Sequence, residues 1–146
     1  MMKEDKALLI TDQNIMVVDF PQTDDTGEKL DWYYQTIDCD CIDIVRPYGL
    51  ENMAADAGLD ALIGAYALVV DDESLLKAEP KVNPIASLLY GSDLHNQPLF
   101  GKVLVAKNQA RDDGIETVGL NNTDVMQIQA TINALITVHN EKVATD

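Results

Sequence analysis

At 146 residues with 47% hydrophobic side chains, the chain is about one domain's worth and can bury a real core, which excludes a disordered polypeptide. Against 10 Lys and Arg stand 25 Asp and Glu, a formal charge of −15, so the surface repels phosphate backbones and anionic membranes and direct nucleic-acid binding is excluded as a first reading. No apolar run approaches the ~20 residues that span a bilayer, the opening MMKEDK lacks a secretory pattern, and Cys39 and Cys41 stand too close for an unstrained disulfide. These features together predict a single cytoplasmic domain over 1–146 with reduced thiols.

In chain order, Ala7–Thr11 and Ile15–Phe20 are apolar runs about the turn formers Asp12-Gln13-Asn14, and they read as a β-hairpin. Asp25 and Glu28 have capping-box spacing, and the helix they open places Leu30, Tyr33, Tyr34 and Ile37 on one side. Cys41–Val45 alternates Ile42 and Ile44 against Asp43, a strand with one wet face that stops at Pro47. Over Leu50–Gly64 a helical stripe of Leu50, Met53, Ala54, Ala57 and Ala61 is divided by Gly58. Tyr66–Val70 is an apolar strand running into Asp71-Asp72-Glu73.

Asn83 to Gly91 then carries a start, a stripe and a stop for one short helix: a capping side chain, Pro84 at the first position, Ile85, Leu88 and Leu89 on one face, and a terminating glycine. Lys102–Ala106 is a strand launched by Gly101, and Ile115–Leu120 is a further candidate. In the last helix Leu120 and Val125 staple the Asn121 cap, with Asp124 near the positive end, and Val125, Ile128, Ile132, Leu135 and Ile136 form the buried face. Strands and helices interleave, but the opening hairpin argues against a purely parallel sheet. The expected fold class is α+β: a mixed, partly antiparallel sheet with helices packed on it.

The run VNPIASLLYG, preceded by VVDDESLLK and followed by QPLFGKVLVA, resembles a family of small uncharacterised domains encoded mainly by phages and plasmids. The matching positions are Asn83, Pro84, Ala86, Ser87, Leu89, Tyr90 and Gly91, then Gly101. A weaker match covers Leu30–Val45, and another joins Gly119-Leu120 to the last helix, while the N-terminal hairpin and Leu50–Gly64 depart from the pattern. The resemblance implies a mobile-element origin and transfers no catalytic residue.

Chemistry must therefore be sought in the residues. Asp38, Asp40 and Asp43 with Cys39 and Cys41 invite a metal, but Cys-x-Cys alone lacks the paired spacing of zinc sites, so no metal or other cofactor is expected. The bland alternative is a turn of solvated acids with the cysteines packed as small apolar residues. His95 reads as a loop residue and His139 as a continuation of the last helix's stripe, and neither has a nucleophile or acid held beside it by local spacing. Glycine-rich phosphate cradles are missing. No catalytic constellation is readable, and the chain is expected to be no enzyme.

The candidate sites are then few. Asn83, Ser87 and Tyr90 could line a small pocket for a nucleotide or other polar ligand, against the plainer roles of cap, surface serine and half-buried tyrosine. Trp32 lies off its helix's stripe and, with Asp71, Asp72 and Glu73, is a candidate interaction surface, the plainer alternative being that it covers the edge of the sheet. Asp24-Asp25, Asp31, Asp38, Asp40 and Asp43 extend the acidic inventory. The leading expectation is a non-enzymatic accessory protein of a phage or mobile element that binds a protein partner, with homo-oligomerisation open. One alternative is an acidic nucleic-acid mimic that inhibits a host DNA-binding or restriction enzyme. The other is a binder of a small polar ligand or nucleotide.

Overall fold

A computed structural model describes residues 3–23, 25–74, 81–92, 97–112 and 114–145. The expectations placed on Asp24 and His95 lie outside the described residues. The elements are β1 (Lys6–Ile10), β2 (Ile15–Asp19), α1 (Thr26–Ile37), β3 (Ile42–Val45), α2 (Tyr48–Asp56), a 3-10 turn (Asp60–Leu62), β4 (Tyr66–Asp71), α3 (Pro84–Tyr90), β5 (Val103–Arg111), β6 (Gly114–Val118) and α4 (Asn122–Thr145).

The sheet runs β2-β1-β5-β4-β3, and β6 pairs with the far half of β5. Lys107 pairs with Tyr66 of β4 on one side and Val118 of β6 on the other, so β6 continues the line of β1. Reciprocal backbone bonds between Lys6 and Leu120 join the two strands end to end. The α+β class stands, and in the sheet expected to be mixed every pair among the described strands is antiparallel. The chain returns from β4 through α3 to β5, which lies antiparallel beside β4.

Strand alternation divides the apolar residues between two faces. On one, Leu8, Ile10, Tyr66, Leu68, Val103 and Val105 pack against Leu50 of α2, Ala86 and Leu89 of α3, and Val125, Ile128 and Ile132 of α4. On the other, Ala7, Leu9, Val69, Leu104 and Ala106 pack against Tyr33 and Ile37 of α1 with Phe20. The central strands are thus covered on both sides, while β2 and β3 are edges. Gly49 lets α2 touch the end of α3: a Cβ there would lie 2.0 Å from the Leu88 carbonyl oxygen. Gly91 ends α3 at φ +85°, a left-handed conformation that side chains resist, and its N–H bonds back to Ser87 and Leu88 carbonyls.

Local expectations meet mixed outcomes. Asp25 caps α1 by accepting from the Glu28 N–H at 3.1 Å, and Asn121 and Asp124 accept from each other's backbone N–H as a reciprocal cap of α4. The Leu50–Gly64 stripe divides at Gly58 into α2 and the 3-10 turn. In β3, however, Ile42 and Ile44 do not share a buried face. Ile42 packs beneath α1, but Ile44 is 49% exposed, because α1 ends at Ile37 and leaves that stretch of the edge strand uncovered.

Candidate interaction surface

Of the three polar residues singled out for a ligand pocket, Asn83 and Ser87 are spent on holding the chain together. Asn83 is wholly buried; its Oδ1 accepts from the Ala86 N–H, while Nδ2 donates to the carbonyls of Ile10 (2.9 Å) and Gly101 (2.8 Å). Ser87 is buried and its Oγ accepts from the Leu99 N–H at 2.8 Å. With Asn83 N–H bonded to the Leu99 carbonyl, these contacts close the excursion between β4 and β5 against the end of β1. Tyr90 is half-buried with its ring 6.2 Å from that of Tyr48. The ligand-site assignment for Asn83 and Ser87 is corrected accordingly: their polar groups are bonded to backbone.

Two buried ionic networks are likewise closed. Lys29 Nζ donates to Glu116 Oε1 (2.6 Å) and to the Thr117 carbonyl (3.0 Å), beside a 2.6 Å hydrogen bond between the hydroxyls of Tyr33 and Thr117. Burial pushes the Tyr33 phenol up to about 12, although the Thr117 hydrogen bond works the other way. Tyr66 Oη donates to Asp124 Oδ1 (2.8 Å), and Lys107 joins Asp124 and Glu4 in ion pairs of 3.3 and 3.1 Å. Burial and the Asp124 carboxylate raise the Tyr66 phenol well above its ordinary value. A phenol held protonated in this way is a poor base at neutral pH, so both networks read as braces of α1 and α4 against the sheet.

Trp32 is half-buried, its ring 5.2 Å from Phe20 in an edge-on contact, and it covers the α1 side of the sheet. It therefore leaves the candidate surface. So does Asp71, buried at the end of β4 with its Oδ1 accepting from the Glu73 N–H at 2.9 Å. Asp72 and Glu73 stay exposed, and the strand pairing brings them to the start of β3. Ile42 pairs with Asp71, and the Asp72 N–H donates to the Cys41 carbonyl at 3.1 Å.

Cys41 reports what gathers there. A hydrogen bond to Glu73, loss of solvation, and the charges of Glu73, Asp72 and Asp40 all raise its thiol above the usual value. A thiol so protonated is a weak nucleophile. Cys39 is half-buried against the α1 core, so the two cysteines do not converge. Asp43 is exposed on β3 and its Oδ1 accepts from the Ile44 N–H. Lys102 reaches this end of the sheet, where it is bound to Asp38. Asp40, Asp43, Asp72 and Glu73 thus form an acidic end, next to an edge strand whose outer backbone has no neighbour among the described strands and whose Ile44 is half exposed. Sequence spacing could not join Asp40 to Glu73; the β3–β4 register does.

Comparison with family models, with curated proteins and with solved structures returned no match. Among the described residues no helix is long and apolar enough to cross a membrane.

Proposed function

We propose that this chain is a non-enzymatic accessory protein that acts by binding a protein partner with a basic surface, through its acidic end. The observation that carries the reading is the β3–β4 register, which sets Asp72 and Glu73 beside Cys41 and Asp40 at the open edge of β3. Carboxylates grouped this way steer a basic partner and set its orientation. The outer edge of β3 has no neighbour among the described strands and can accept an added strand once the Ile44 N–H exchanges its bond to Asp43 Oδ1, and Ile44 supplies an apolar contact at its centre. A phage or plasmid origin and action in the cytoplasm, both drawn from the sequence, belong to the same proposal.

A nucleic-acid mimic is the second reading, favoured by the same four carboxylates when the partner's basic surface is one that holds DNA. Capture from host lysate tests both. The wild-type chain is expected to retain a partner at low salt and release it at high salt. A variant carrying Asp40→Asn, Asp43→Asn, Asp72→Asn and Glu73→Gln should retain none. Release by added duplex DNA selects the mimic. Nothing retained above background by the wild type contradicts both readings.

A further inference from the structure

We propose that the outer face of α4 is a second interface, and that its occupant is another copy of this chain, paired about a two-fold axis near Ala130. The proposal is independent of the acidic end. Charge is the first observation. In a chain that is 24% charged, the stretch from Val125 to Asn140 contains no Asp, Glu, Lys or Arg. A helix whose inner face is already buried by Val125, Ile128 and Ile132 ordinarily presents charge outward. Here the outward residues include Met126, Gln127, Ala130, Asn133, Ala134 and Thr137, with Val138 also exposed. Depletion of charge marks the centre of an interface.

Shape is the second observation. Beside this face lies a hollow of about 380 Å³, whose walls are Ala54, Ala57, Leu59 and Leu62 on one side and Ala130 and Ala134 on the other. One turn before Ala130, Met126 projects with 70% of its surface exposed, and Leu59 at the hollow's rim is 53% exposed. A knob and a hollow on the same patch are what a two-fold contact requires, since each copy must supply both. Antiparallel crossing of two α4 helices at Ala130 sets Met126 of one copy opposite Ala134 of the other, at the mouth of its hollow. Alanine at the crossing allows an axis separation near the short end of the usual ~8–10 Å. Methionine suits a hollow of irregular shape.

The charge of the molecule selects the occupant. Each copy carries −15, so contact through an acidic face sets like charges together. The outer face of α4 itself sets no like charges together, and the exposed carboxylates of Asp56 and Asp60 adjoin only the opposite wall of the hollow. A basic partner would find no carboxylate along it to recognise.

Sedimentation equilibrium of the purified full chain tests this, with wild type and Met126→Glu compared over a range of concentrations. The expected result is a species of twice the 16.0 kDa chain mass for wild type, shifted at least tenfold in concentration toward monomer by the substitution, with an unchanged far-UV spectrum. A second measurement places the axis. In a Cys39→Ala/Cys41→Ala background, Ala130→Cys should oxidise to a covalent dimer and Asn140→Cys should not, because only a residue at the axis meets itself. A monomer at every concentration, a dimer indifferent to Met126→Glu, or equal cross-linking at both positions would overturn the proposal.

Discussion

Asn83 shows how one side chain can serve three segments at once. It caps α3, ties the end of β1 through Ile10, and ties the entry to β5 through Gly101, all from a site with no exposed surface. Replacing it by alanine removes the cap and leaves two buried carbonyls without donors. Asn83→Ala is expected to lower unfolding stability by about 2–4 kcal/mol, read from the shift in urea midpoint. At the acidic end the informative residue is Cys41. Glu73→Ala should bring its thiol back toward the ordinary range and speed its alkylation at mildly alkaline pH, and added salt should speed the wild type by screening. Rates that ignore both changes would mean the carboxylates are not gathered there. The cap role of Asn83 was legible in sequence because capping is local. Its bonds to Ile10 and Gly101 were not, because they depend on strands 73 and 18 residues away being brought alongside. For Trp32 the sequence left an interface role and a cover for the sheet edge open for a similar reason: its partner Phe20 lies on the far side of a turn.

Among the elements, those with strong periodicity and explicit caps were readable: the β1–β2 hairpin, α1, α3 and α4 occur where the pattern puts them. Pairing was less readable. β5 runs nine residues, beyond the apolar Lys102–Ala106 segment, because its far half is stabilised by β6 and not by burial alone. The α2 segment shows what contact geometry adds. Its Gly49 reads as nothing special in sequence, yet the Leu88 carbonyl fills the space a Cβ would take. Gly49→Ala must push α2 off α3, and a loss of about 2 kcal/mol or more is expected in the same denaturation assay. Stability equal to wild type would show that the two helices do not pack so closely.

The whole molecule's response to alkali follows from its buried phenols. Burial raises the Tyr33 phenol from its ordinary value of 10.0 to about 12, so the folded chain holds that proton more tightly than the unfolded one. The sign is therefore a contribution present in full below pH 10 and lost as pH rises toward 12, of roughly 2–3 kcal/mol. Tyr66 shifts in the same direction and adds to it. Unfolding followed against pH should show stability falling across that window, with a smaller fall for Tyr33→Phe; a flat profile would contradict the burial of these hydroxyls.

Net charge was plain in the sequence, but its distribution was not, since the β3–β4 register is what brings Asp40 to Asp72 and Glu73. That distribution is the central claim, and a matched-charge comparison tests it most directly. One variant neutralises Asp40, Asp43, Asp72 and Glu73; a second neutralises Asp12, Asp31, Asp56 and Asp60, exposed acids elsewhere on the chain. Both change the net charge equally. In capture from host lysate at moderate salt, the first should lose the partner and the second should keep it. Equal loss from both, or retention by the first, would contradict an interface at the acidic end.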